Sequence, residues 1–241
     1  MTRGISQSGL SVFRDCPYAF KLRYVDRCVP MFWDNSVLDV GSYVHDSIDD
    51  YYKLHYIPDA ASYHEILAET YALLKRRWDR SLSVEQFKQA YLCLENHSKF
   101  EFKRLSSGIA TKPLTEIEID SGGFYGFIDY FDIDNKIAMD WKTGKHPSVH
   151  YSYKMQALIY KFLIKGKFGI DLTHFDFYFL FPNAFRKVKY GTGVMKGVED
   201  DVLKLRRKVD DSYRDGFERK PRTSTMCNNC LYKYYCRILK M

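Results

Sequence analysis

One run constrains this chain more than any other: Gly126-Phe127-Ile128-Asp129-Tyr130-Phe131-Asp132-Ile133-Asp134-Asn135-Lys136-Ile137-Ala138-Met139-Asp140-Trp141-Lys142-Thr143-Gly144. Asp134-Asn135 suits the two central positions of a tight hairpin turn. With a two-residue loop there, Ile133 faces Lys136, and counting outward pairs Asp129 with Asp140. Directly opposed residues of an antiparallel pair share a face, with Cβ atoms about 4.5–5.5 Å apart. Lys142, two residues beyond Asp140, joins that face. Ile137, Met139 and Trp141 then point the other way, opposite Asp132, Tyr130 and Ile128. Two opposed carboxylates repel unless one is protonated or a cation lies between them. A hard divalent cation with oxygen ligands is the economical explanation. A surface hairpin with solvated acids is the alternative, because Asp-x-Lys is a common tripeptide and a one-residue slip would separate the pair.

The rest of the chain has room to enclose such a site. Its 241 residues, 46% hydrophobic and 28% charged, suit an ordinary globule and not a disordered chain. Lys plus Arg exceeds Asp plus Glu by 37 to 30, a net +7 that favours a polyanionic partner. No stretch approaches the roughly 20 apolar residues of a membrane helix. Nor does the N-terminus lead into a signal-peptide core. The expectation is a cytoplasmic protein of a prokaryotic cell or virus-infected host, with no membrane partner and with reduced thiols.

Cys16-Pro17 allows a helix to start within a helical segment at residues 8–28. From Gly41 to about Gly108 the pattern is helical. Ser62-Tyr63-His64-Glu65 and Ser83-Val84-Glu85-Gln86 are candidate capping boxes there. Strands are expected at 114–120, 124–133 and 136–142, then a helix at 151–165, strands at 173–181 and 185–190, and a helix near 197–215. This is a mixed α/β pattern with a helical insertion and a cysteine-bearing tail. In the 151–165 helix, Met155, Leu158, Ile159, Phe162 and Leu163 form an apolar stripe. Lys154, Lys161 and Lys165 fall on one flank, Gln156 and Tyr160 on the other. The tail supplies Cys227, Cys230 and Cys236, three thiolates within ten residues. A tetrahedral site or cluster needs a fourth, and thiolate ligation alone permits zinc or iron–sulfur.

Basic clusters stand at Lys75-Arg76-Arg77, Arg186-Lys187, Lys204 to Lys208 and Arg219-Lys220-Pro221-Arg222. Some suit a DNA backbone, with aromatic residues nearby for stacking. The chain has no G-x-x-x-x-G-K-[ST] phosphate loop, so it is no helicase motor. No G-x-S-x-G element suggests acyl transfer.

Gly-Phe-Ile-Asp, a hairpin, then Asp-Trp-Lys-Thr-Gly resembles the core of the PD-(D/E)xK nucleases, specifically their RecB-like branch. Gly41-Ser42-Tyr43-Val44-His45 resembles that branch's glycine–histidine helix motif, and Gln156-Ala157-Leu158-Ile159-Tyr160 its Gln-x-x-x-Tyr helix. Cys16 with Cys227, Cys230 and Cys236 resembles the four-cysteine iron–sulfur version found in AddB and the CRISPR-associated RecB-like exonucleases. The resemblance implies an α/β, restriction-endonuclease-like fold: a central mixed sheet flanked by helices, a helical insertion and termini stapled by iron–sulfur ligation. It implies a single domain over 1–241, with the insertion at 46–110, the nuclease core at 114–215 and the cluster formed by residue 16 with 221–241. His45, Asp129, Asp140 and the Trp141 carbonyl would hold Mg²⁺ or Mn²⁺. Lys142 would act in catalysis, with Gln156 and Tyr160 supporting the substrate. The cluster would be [4Fe-4S] in preference to zinc, leaving Cys28 and Cys93 as free thiols. The implied activity is a metal-dependent exonuclease, 5′→3′ on single-stranded DNA ends, in recombination and repair, phage or viral replication, or CRISPR adaptation. A helicase, recombinase or CRISPR adaptation protein is a possible partner. The alternative is a non-catalytic or partner-dependent DNA-binding module on the same fold.

Overall fold

The computed structural model describes residues 4–30, 36–78, 83–109, 111–219, 227 and 230–238. Lys220, Pro221 and Arg222 of the last basic cluster lie outside the described residues.

The chain opens with α1 (Gln7–Asp15), capped by the Ser6 hydroxyl, which accepts from the Gly9 amide at 3.1 Å. Cys16 breaks the helix in extended conformation, and Pro17 restarts it as α2 (Pro17–Phe20), continuing as a π-helical turn over Lys21–Val25. Proline suits that first helical position because its missing N–H has no partner to lose there. Three longer helices follow, α3 (Ser36–Leu54), α4 (Tyr63–Arg77) and α5 (Val84–Ser106). The Ser83–Gln86 capping box forms in both directions. The Ser62–Glu65 box does not: Ser62 occupies the cap without a side-chain bond, and Glu65 accepts instead from the Ala61 amide.

Five strands then build one sheet in the order β1 (Leu114–Ser121), β2 (Phe124–Asp132), β3 (Ile137–Lys142), β4 (His174–Phe179) and β5 (Ala184–Lys189). Neighbours run antiparallel except β3 and β4, which are parallel. A parallel step needs a crossover, and α6 (Tyr151–Phe168) supplies it. Helix α7 (Gly193–Asp215) and the short α8 (Lys233–Ile238) complete the chain. This mixed sheet flanked by helices is the restriction-endonuclease-like α/β architecture the sequence implies.

Helices on both faces give the sheet two cores. On one side Leu10, Phe13, Ile128, Phe131, Leu158, Phe175 and Phe177 pack with α1, α6 and α7. On the other, Tyr130, Met139, Trp141 and Tyr178 pack against Val44, Ile48, Tyr52 and Leu94 of the α3–α5 layer. The β2–β3 register is the one counted from the turn: Asp132 faces Ile137, Phe131 faces Ala138 and Tyr130 faces Met139. Asp132 secures the turn by accepting from the Asn135 amide (3.0 Å) and side chain (2.8 Å), while Lys136 takes the left-handed conformation (φ 55°).

Ile128 departs from the expected pattern. It packs in the α6 core, not beside Trp141. The cause lies one residue on. The β1–β2 ladder pairs Thr115 with Tyr130 and Ile117 with Ile128, but skips the step between them, where Glu116 stands opposite Asp129. Glu116 has φ 44°, a left-handed conformation that a β-branched or carboxylate side chain rarely adopts in a strand. Both strands therefore exchange faces at that step. Ile117 and Ile128 look toward α6, whereas Tyr130 enters the other core and Thr115 donates to Asp49 of α3.

Candidate active site

The exchange of faces leaves two carboxylates at one point between the layers. Asp129 is buried (7% exposed), and its Oδ2 accepts the Trp141 amide at 2.8 Å. A side chain thus takes a main-chain donor of β3. From α3, His45 reaches the same place. Its Nδ1 lies 3.4 Å from Glu116 Oε1 and 3.5 Å from Asp129 Oδ2, and its Nε2 lies 3.0 Å from the Trp141 carbonyl. One donor atom from each of His45, Glu116 and Asp129 falls within 4.8 Å of the others, the one such group among the described residues.

Asp140 comes from β3 and is 2% exposed. Its Oδ1 accepts from Gln156 Nε2 at 2.5 Å, and Gln156 Nε2 also reaches the Tyr160 hydroxyl at 3.1 Å. Lys142 Nζ lies 2.5 Å from Asp140 Oδ2 and donates to Gln156 Oε1 at 3.2 Å. The Asp140 carboxylate is thus shared between two side chains, Gln156 on one oxygen and the Lys142 ammonium on the other. Lys142 also sits over the Tyr153 ring, 4.8 Å from its centre. Gln156 and Tyr160 are not boundary positions, as the helical wheel suggests; both are buried. Gly126 makes room for Tyr160, because a Cβ there would meet the ring at 3.0 Å.

The electrostatics show a site short of cation. Burial, then the nearby charge of Asp140, push the Asp129 carboxyl far above the usual range, to about 8. Burial lowers the basicity of His45, but the Asp129 charge and the hydrogen bond to Glu116 outweigh it and bring the imidazole to about 9. Burial likewise opposes the Lys142 charge, and Asp140 overcomes it. Protons hold the group together where a divalent ion would otherwise sit. Two carboxylates and one imidazole with donor atoms this close fit a hard divalent cation.

The structure thus brings together His45, Asp129, Asp140, Trp141, Lys142, Gln156 and Tyr160. Glu116 is the member the sequence reading missed. A signal existed: counting outward from Gly122-Gly123, as was done from Asp134-Asn135, sets Glu116 opposite Asp129.

At the opposite end of the chain, Cys16 lies between α1 and α2, and Cys236 on α8. Burial raises the Cys230 thiol pKa, and the neighbouring thiols of Cys16, Cys227 and Cys236 raise it further, which puts all four within electrostatic reach. No disulfide joins any of the six cysteines. Cys93 is buried in α5, which pushes its thiol to about 12. His97, also on α5, is a core residue: both ring nitrogens lack partners, and burial followed by the Arg104 charge lowers it to about 3.

No curated protein matches this sequence. Among solved structures, the chain is similar to a crystal structure described as a "putative exonuclease" from Eubacterium rectale, with a TM-score of 0.59 at 13% identity over 94% of this chain and 88% of that one. At that identity the likeness shows the fold. A family model described as the PD-(D/E)XK nuclease superfamily matches residues 4–237, nearly the whole length that carries the sheet, the buried carboxylates and Lys142, and the chain belongs to that superfamily.

Proposed function

We propose that this nuclease is a Mg²⁺- or Mn²⁺-dependent deoxyribonuclease of the RecB-like branch, an exonuclease acting 5′→3′ on single-stranded DNA ends. The observation that carries the reading is the convergence of His45, Glu116, Asp129 and Asp140 beside Lys142. Membership of the superfamily implies a nucleic-acid hydrolase with a divalent metal and a DNA substrate. The exonuclease reading is supported by the named structural neighbour. The RecB-like assignment rests on the glycine–histidine and Gln-x-x-x-Tyr motifs.

A bound divalent cation lowers the pKa of water and offsets charge on the scissile phosphate. Asp129 and Asp140 would hold it, with His45, Glu116 and the Trp141 carbonyl around them. Lys142 keeps its ammonium beside Asp140 and neutralises charge developing on phosphoryl oxygens. Gln156 is the positioning residue, since one side chain ties Asp140, Lys142 and Tyr160 together. Tyr160 backs Gln156 from the α6 core. The whole of 1–241 is read as one nuclease domain, with a helical insertion at 46–110 and the nuclease core at 114–215. Cys16, Cys227, Cys230 and Cys236 are read as [4Fe-4S] ligands in preference to zinc. Ligating one group, the four thiols would staple residue 16 to residues 227–236, segments distant in sequence. Recombination and repair, phage or viral replication, and CRISPR adaptation would all use this chemistry.

The test is digestion of end-labelled single- and double-stranded DNA by anaerobically purified protein with Mg²⁺, Mn²⁺ or EDTA. Metal-dependent shortening from one end, absent in Asp140→Asn, is expected. Protein with its cluster intact that cleaves neither substrate would overturn the reading in favour of a binding-only or partner-dependent module.

A further inference from the structure

Toward its turn, beyond the contacts of Thr115 and Tyr130 with the helical layer, the β1–β2 hairpin leaves Phe127 and Glu118 exposed on one face and Tyr125 half-buried. Phe124, Gly126 and Ile128 of β2 pack on α6. Tyr125, Phe127 and Asp129 alternate with them and so look the other way. Phe127 is 42% exposed, and its ring meets Tyr125 edge-on at 5.5 Å between centres. Burying a phenylalanine on this face would have been easy for a packed sheet; here it stands in water two residues from Asp129. At about 3.3 Å per residue, Phe127 is about 7 Å from the metal carboxylate along the strand, and Tyr125 about 13 Å.

Tyr125 also lines a cavity of about 640 Å³ between the hairpin, the π-helical turn and α7. Arg23, Arg27 and Arg206 line it with Tyr24 and Tyr213. Arg206 is held by Asp210 and by the Gly123 carbonyl, and Arg23 lies over the Tyr24 ring at 5.2 Å. Three guanidiniums line it against the carboxylate of Asp210, with Asp120 at the rim accepting the Gly4 amide, a balance that stays positive. The aromatic step itself is different. Its cross-strand neighbours are Glu118, opposite Phe127, and Asp120, opposite Tyr125. Carboxylates repel a phosphate chain but tolerate a base, whose ring stacks and whose N–H groups they can accept.

We infer that Phe127 and Tyr125 form a stacking step for the bases of a single-stranded polynucleotide, whose phosphates pass over the arginine-lined cavity on the way to Asp129. The inference rests on the nuclease reading for its substrate and adds where the strand lies and what part of it is held. Duplex DNA does not fit this role, because its bases are already stacked on each other. The step confers preference for single strands without reading sequence, since every base has a π-face.

Binding tests it without hydrolysis. In an Asp140→Asn background, fluorescence anisotropy compares a labelled oligothymidylate twelve-mer with an abasic deoxyribose-phosphate strand of equal length. Phe127→Ala should weaken the oligothymidylate by roughly 5- to 100-fold, the range of one lost base stack. It should leave the abasic strand unchanged, and Phe127→Trp should restore binding. Equal losses on both strands, no loss on either, or no single-strand binding by the Asp140→Asn parent would overturn the inference. Absence of metal-dependent cleavage in the wild type, with the stacking pattern intact, would instead count against the nuclease reading.

Discussion

The protein gathers metal-type donors in two places, and they are built in opposite ways. The carboxylate centre hangs on a sheet. Asp129 and Asp140 are buried, His45 and Glu116 half-buried; three of the four stand on strands of the sheet and one on the helix packed against it, and Gln156 ties Asp140 to Lys142. The cysteine group hangs on short pieces: a helix break at Cys16 and a tail ending in the six-residue α8. At the first centre the fold creates the site. At the second, the ligated group would create part of the fold. Like charges are forced together at the carboxylates because the sheet leaves them no alternative, so that centre is electrostatically costly and mechanically rigid. The thiols carry no such compulsion.

The comparison predicts that activity and stability separate between the two. Asp140→Asn should lower metal-dependent cleavage on the order of 10³-fold. It should move the melting temperature far less, since Asn can keep the Gln156 contact while the loss of repulsion from Asp129 opposes the loss of the Lys142 ion pair. A melting temperature reduced as much as the activity would show that Asp140 is structural. Cys227→Ala should do the reverse. Iron content should vanish and Tm fall by roughly 5–10 °C, from about 2–3 kcal/mol of lost cross-linking. Unchanged melting and metal content in that variant would erase the distinction.

Lys142→Met should cost about 100-fold in cleavage, because the charge that meets the phosphoryl oxygens is gone. Full activity in that variant would remove Lys142 from the chemistry.

Acidity offers a gentler probe. Asp129 and His45 both have folded-state pKa values raised above their ordinary ones, to about 8 and about 9. Their contribution to metal-free stability is therefore complete below the unfolded values and is lost as pH rises through the folded ones. Urea melts of EDTA-treated protein should show lower stability at pH 9 than at pH 6. Metal competes with the same protons, so its affinity, read by calorimetry, should rise over that interval by up to about tenfold per pH unit for each proton displaced. A metal affinity independent of pH would mean that these two groups are not ligands.

The sequence made the hairpin legible because its register depends on local turn chemistry: Asp132, Asp134 and Asn135 set it within a few residues. Helices were legible where apolar spacing and caps agreed, as at Ser83–Gln86. The exchange of faces at Glu116 and Asp129 was not, because alternation assumes regular strands and a left-handed glutamate breaks that assumption. That same break hid Ile128's true core and the fourth donor. The burial of Gln156 and Tyr160 was missed for a different reason. A helical wheel ranks them by polarity, whereas here each polar atom finds a partner inside the α6 layer.

The reach of His45 has a consequence for a chain still being made. It meets the Trp141 carbonyl 96 residues downstream, and Asp140 waits a further 16 for Gln156. The candidate catalytic group is therefore spread from residue 45 to residue 156, and no short stretch of the growing polypeptide holds all of it. On the proposed reading, a nascent chain would complete the site only once α6 had left the ribosome and closed on the sheet.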